Sequence, residues 1–263
     1  MIIDIHSHCF PDKLAPMAIA SLSQKSDFLI PHTDGTAAGL KSSMLIAGVD
    51  VSVIQNIATK PSHVVSINRW ATEQQCKQII SFGTIHPKFV DYKDEIKWLK
   101  VNNIKGIKFH PDYQNFFVDD IDMFPIYEAI LNEDLVILFH AGVDIGIPEP
   151  VHCTPQRLKK VIDNFIGGKI IAAHMGGFRA WDDVVEYLVG SDIYFDTSFT
   201  FDELGCDKMS SIITAHGTKK ILFGTDSPWQ DQKQDIEKIN KLKISNQDKK
   251  QILGLNSKLL LNI

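Results

Sequence analysis

Cysteine is scarce in this chain. Its 263 residues include four, Cys9, Cys76, Cys153 and Cys206, widely separated and in no Cys-x-x-Cys pair. Free thiols in a reducing compartment fit that pattern better than a disulfide framework. Long apolar runs are missing too, since no window approaches the ~20 residues that span a bilayer. Met1–His6 has neither the basic segment nor the apolar stretch of a signal peptide. A cytoplasmic protein is therefore expected. Basic charge is not in excess: 27 Lys and Arg against 32 Asp and Glu leave a net charge of −5. That gives no electrostatic footprint for binding nucleic acid. Linkers, low-complexity tracts and charge runs are absent, so one domain over residues 1–263 is expected. What remains is ordinary globular composition, 44% hydrophobic and 22% charged.

Eight short apolar runs recur along the chain: Met1–Ile5, Val51–Ile57, Ile79–Ile85, Ile104–Phe109, Leu135–Phe139, Ile170–Ala173, Ile193–Phe195 and Ile221–Phe223. All are rich in Ile, Val, Leu and Phe, as buried parallel strands are. Helical patterns lie between them, over Val65–Cys76, Asp91–Asn102, Ile121–Glu133, Thr154–Phe165 and Asp182–Leu188. Thr154 followed by Pro155 reads as an N-cap and a first helical residue. Gly106, Gly168 and Gly217 precede strands, where a helix end must turn back. Eight strand–helix repeats predict an α/β fold of the (β/α)₈ TIM-barrel type. The other doubly wound architecture would carry a glycine-rich phosphate loop after an early strand. Here the first strand ends in His6-Ser7-His8 instead. The long stretch Cys9–Met44 reads as an insert covering the barrel mouth.

The ten histidines carry the chemical signal. His6 and His8 close the first strand, His86 the third, His110 the fourth, His140 the fifth and His174 the sixth, and Asp226 follows the eighth. Strand residues alternate faces, so His6 and His8 point the same way. In a barrel that way can be inward, at the end where barrel active sites are built. Neutral imidazoles with a carboxylate suit a divalent ion such as zinc, manganese, iron or nickel. Such an ion lowers the pKa of bound water from 15.7 to about 7. His32, His63 and His216 have no context that sets them above surface residues, and His86, followed by Pro87, reads as structural.

Four segments, Asp4-Ile5-His6-Ser7-His8, Leu138-Phe139-His140-Ala141-Gly142, Ala173-His174-Met175-Gly176-Gly177 and Gly224-Thr225-Asp226-Ser227-Pro228-Trp229, resemble the motifs of the amidohydrolase superfamily. The branch they resemble is that of amidohydrolase-related metal-dependent hydrolases, which also contains decarboxylases of the aminocarboxymuconate-semialdehyde type. The resemblance implies a TIM barrel with metal ligands at His6, His8, His140 and Asp226. It implies a second-sphere or second-metal role for His174, and makes Asp226 also the acceptor of the water's proton.

The fourth strand departs from the two-metal members, which place a bridging Glu or carboxylated Lys there. Gly106-Ile107-Lys108-Phe109-His110 puts Lys108 and His110 on one face. Lys108 is read as a cation for a substrate carboxylate or as a structural lysine paired with an acid, with carboxylation the third option. One metal ion, zinc first, is the expectation. Further substrate contacts are expected at His110, at His152 in the loop after the fifth strand, and at Arg179 after the sixth. The expected activity is hydrolysis of an amide, lactone or ester of a small anionic molecule, with Asp226 moving the proton and His174 steadying the oxyanion. The alternative is decarboxylation of an unsaturated or aromatic acid. A TatD-type nuclease is a weaker alternative, because its fourth-strand Glu is missing. The expected partner is a small-molecule substrate, with no nucleic acid and no membrane; a homo-oligomer is allowed.

Overall fold

The computed structural model describes residues 1–263. Its strands are β1 (Ile3–Ser7), β2 (Val51–Ile54), β3 (Ile79–Ser81), β4 (Gly83–Thr84), β5 (Gly106–Phe109), β6 (Val136–Phe139), β7 (Ile170–Ala172), β8 (Tyr194–Asp196) and β9 (Ile221–Leu222). Every pairing is parallel and every neighbour is the next strand in sequence. Parallel neighbours need a crossover, and helices supply it. The circuit returns to its start, because the Ile5 amide donates to the Phe223 carbonyl at 2.8 Å and the Asp226 amide to the His6 carbonyl at 2.7 Å. The architecture is a (β/α)₈ barrel, as expected.

The third expected strand, Ile79–Ile85, is split at Phe82. The amide of Phe82 donates to Ile54 and its carbonyl accepts the Asn56 side chain at 2.7 Å. β3 pairs only with β2, and β4 pairs only with β5, so the strand changes partner at the break.

Burial follows the strand pattern. Ile3, Ile5, Val53, Val136, Leu138, Ile171 and Leu222 fill the cluster inside the ring, while a larger cluster packs strands against helices. Helices form where the apolar spacing predicts them, over Val64–Gln74, Tyr92–Val101, Phe124–Asn132, Pro155–Asn164 and Trp181–Tyr187. Thr154 caps its helix by accepting the Arg157 amide at 3.4 Å, with Pro155 in the first turn.

Two of the three expected turn-back glycines sit elsewhere. Gly106 is already in β5, and the turn before it is made by Asn103 at φ 61. Gly167 at φ 80, not Gly168, makes the turn before β7, and only Gly217 at φ 101 is where it was expected. The Cys9–Met44 insert folds into helices Ala15–Lys25 and Ala37–Ala47, and Phe10, Leu22 and Leu29 from it wall the cavity at the strand ends. No helix is long and apolar enough to cross a membrane.

Candidate metal centre and active site

The C-terminal ends of the strands open into a cavity of about 270 Å³. His6, His8, Lys108, His110, His140, His174 and Asp226 all line it. Their approach depends on the backbone as well as the strand register. His174 at φ 58 and Asp226 at φ 66 are both in the left-handed region, a strained conformation that clusters at functional sites.

His6, His8 and Asp226 come together. Asp226 Oδ1 lies 3.2 Å from His6 Nε2 and 3.0 Å from His8 Nε2. The other nitrogen of each ring is committed elsewhere. His6 Nδ1 donates to Asp196 Oδ2 at 2.8 Å, and His8 Nδ1 donates to the Gln55 carbonyl at 3.1 Å. Burial, reinforced by Lys108, lowers His6 to about 4, so its ring is neutral near pH 7. A neutral ring with a proton on Nδ1 has a bare Nε2. The His6 lone pair, His8 Nε2 and one carboxylate oxygen therefore face one point. Burial pushes Asp226 up, yet the His8 contact and the nearby imidazoles outweigh it and hold the carboxyl well below its ordinary range. This donor set fits a divalent cation, with zinc and manganese both suited to imidazole and carboxylate.

His140 lies in a neighbouring group with His110 and Asp144 rather than in the first. Its Nδ1 is 3.1 Å from His174 Nε2, and its Nε2 is buried without a hydrogen-bond partner. An orphaned buried lone pair in a metal-suited pocket is what a ligand position looks like without its ion. His110 is stacked on His140, with ring centroids 4.0 Å apart and planes within 10°. It also pairs with Asp144 at 3.0 Å.

Lys108 is 1% exposed, and its Nζ lies 3.3 Å from His6 Nε2. Burial lowers it to about 8. No carboxylate comes within ion-pair range of it, so the structural Lys–acid pair expected as one option does not form. A buried cation without a fixed anion is costly and is rarely left unmatched.

His152 and Arg179, expected to touch substrate, do not line the cavity. His152 is bound to Asp112 through Nδ1 at 2.8 Å and stacked on Phe117. Arg179 makes a two-pronged contact with Glu203 on the exposed rim. His216 is not a surface residue: it is buried, stacked on Phe195 and bonded to the Ile193 carbonyl at 2.8 Å. His86 is buried and outside the cavity, where its Nδ1 accepts the Lys88 amide at 3.1 Å. Asp144, Asp196 and Ser198 were missed. Asp196 carries the same signal as the histidines, being the first charged residue after the apolar run Ile193–Phe195.

A model of the amidohydrolase family matches residues 3–263. The chain belongs to that family. No curated protein matches it significantly in sequence. Among solved structures, 5-carboxyvanillate decarboxylase from Sphingomonas paucimobilis is similar at a TM-score of 0.75 and 15% identity, over 100% of this chain and 99% of that one. An uncharacterised TIM-barrel protein from Bordetella bronchiseptica is similar at 0.77 and 15% identity, over 99% and 98% of the two chains. A dihydroxybenzoic acid decarboxylase from Polaromonas sp. JS666, solved with bound manganese and the inhibitor 2-nitroresorcinol, is similar at 0.70 and 16% identity, over 99% and 96%. At such identities the likeness is one of fold.

Proposed function

We propose that the protein is a metal-dependent decarboxylase of a small aromatic or unsaturated carboxylic acid. The observation that carries this reading is Lys108, a buried ammonium beside His6 with no carboxylate of its own. His6, His8 and Asp226, joined by the bare Nε2 of His140, would hold one divalent ion, zinc or manganese. The manganese in the Polaromonas decarboxylase supports the second choice. When bound, the ion supplies Lewis acidity toward an oxygen of the substrate.

The protein's own groups do the rest. With His6 Nε2 committed to the ion, the Lys108 ammonium is free to meet the substrate carboxylate, and His110 contacts the same end of the molecule. Phe10, Phe178, Phe199 and Trp229 line the cavity and suit a flat ring. The ionised Asp226 carboxylate takes a proton from a substrate hydroxyl or a water and delivers it to the carbon whose bond to the departing carbon dioxide breaks. Two neighbours that are decarboxylases of aromatic acids support this choice over hydrolysis.

Hydrolysis of an amide, lactone or ester is the second reading, favoured by one observation. Asp226 is held ionised beside His6 and His8, as a base for an attacking water must be.

The two readings separate in heavy water enriched in ¹⁸O, with manganese- or zinc-loaded protein and a panel of hydroxybenzoates, unsaturated acids, lactones and amides. Decarboxylation gives carbon dioxide and deuterium on the carbon that lost it, with no ¹⁸O in the organic product. Hydrolysis gives ¹⁸O in the product and no carbon dioxide. No turnover on any acid sinks the decarboxylase reading.

A further inference from the structure

The groups beneath the cavity form a hydrogen-bond relay that runs in one direction. It starts at Asp196, which is fully buried at the end of β8. A carboxylate only accepts, so each neighbour must donate to it. Asp196 Oδ2 takes His6 Nδ1–H at 2.8 Å. Oδ1 takes the Ser198 hydroxyl at 2.5 Å and the backbone amides of His174 and Ser198 at 3.0 Å each. Ser198 has then used its only proton, so its oxygen can only accept. His174 Nδ1 lies 3.0 Å from that oxygen and 2.9 Å from the Ser198 carbonyl, two acceptors, and must carry the proton. His174 Nε2 is then bare and takes His140 Nδ1–H at 3.1 Å. The last atom in the chain is His140 Nε2, bare and unpartnered.

We infer that Asp196 is a positioning residue. It fixes His6 in the Nδ1–H tautomer and so keeps the His6 Nε2 lone pair available to the cation, while the Ser198 branch does the same for His140 through His174. This rests on the metal reading above. Partners beyond the ligands that fix tautomers in this way typically contribute 10–100-fold to metal affinity.

Asp196→Asn has a defined consequence, because two backbone amides already point at the Oδ1 position. They hold the amide oxygen there and leave the NH₂ facing His6 Nδ1. The amide then donates, which drives the His6 proton toward Nε2, with Ser198 Oγ at 3.1 Å the one acceptor left to Nδ1. His174 stays as it was, because the Ser198 carbonyl still needs a donor.

The test uses ¹⁵N-histidine-labelled full-length protein without metal, with resonances assigned by single His→Gln variants. Nδ1–H tautomers are expected for His6, His140 and His174 in the native protein. In Asp196→Asn, His6 alone switches to Nε2–H, and manganese(II) binding weakens 10–100-fold. A native His6 already protonated on Nε2 overturns the inference, as does a folded Asp196→Asn variant that binds manganese within about threefold of native. The native spectrum decides the matter even where the variant does not fold. A native protein that binds neither manganese nor zinc would refute the metal reading instead, and leaves the tautomer result to stand or fall on its own.

Discussion

Asp226 is the residue on which both candidate chemistries turn. Asp226→Asn keeps the shape and an oxygen donor but cannot carry a proton. Metal should therefore stay bound while turnover falls about 10²–10⁴-fold, the usual contribution of a general acid or base. Metal analysis beside a rate measurement checks this, and near-native turnover in a metal-loaded variant would remove Asp226 from the mechanism. His6→Ala should lose metal and activity together. Lys108→Met makes a second case. Its ammonium is buried with no carboxylate partner in range, and a hydrogen bond to a charged group contributes about 1.5–3 kcal/mol. For acid substrates kcat/KM should fall about 10–100-fold at unchanged metal content, and the affinity for a non-reacting acid analogue should fall alike, while the affinity for its methyl ester is little affected. Equal losses for acid and ester would mean that Lys108 does not read the carboxylate. At this scale the histidines were legible because apolar strands that end in imidazole are unusual. The roles of His152 and Arg179 were not legible, since strand-end position cannot show that Asp112 and Glu203 already hold them.

The strands and helices were read from apolar spacing and came out within a few residues, because burial on both faces leaves continuous apolar runs. The break at Phe82 had no such signal. It arises from a side-chain hydrogen bond, Asn56 to the Phe82 carbonyl, between residues 26 apart. Turn-back positions failed for a related reason: Asn adopts the left-handed region well enough to replace glycine, as Asn103 does. Gly142 is a glycine that the fold requires. It lies in the loop three residues past the end of β6, has φ +84, and a Cβ there would lie 2.1 Å from the Phe178 amide nitrogen. The loop segments after β6 and β7 bridge at this point, between Gly142 and Phe178. Gly142→Ala should therefore destabilise the protein by at least about 2 kcal/mol, through strain and forced separation of the two loops. Chemical denaturation checks it, and a midpoint shift worth under about 0.5 kcal/mol would show that the bridge is not tight.

For the whole molecule, the fold gathers side chains that the sequence scatters from residue 6 to residue 226. One buried group also makes its stability depend on pH. Asp235, 1% exposed on helix Gln232–Lys241, is pushed up by burial from 3.8 to about 7, against the pull of Lys238 and with Asp202 and Asp4 adding to the rise. The folded state thus prefers the protonated acid. Its contribution is complete below the unfolded value near 4 and is lost as pH rises through 7. Asp235→Asn should flatten this dependence and leave the variant more stable than native at pH 8, by up to ~4 kcal/mol at 1.36 kcal/mol per pKa unit. Urea midpoints at pH 5 and pH 8 check it, and parallel curves for the two proteins would contradict it. The account as a whole depends on a cation at the strand ends. Anomalous diffraction at the metal edge, from crystals of zinc- or manganese-loaded protein, tests that most directly. One peak is expected in contact with His6 Nε2, His8 Nε2 and Asp226 Oδ1, at about 2.0–2.2 Å for zinc. No peak there, or a peak confined to His110 and Asp144, would contradict it.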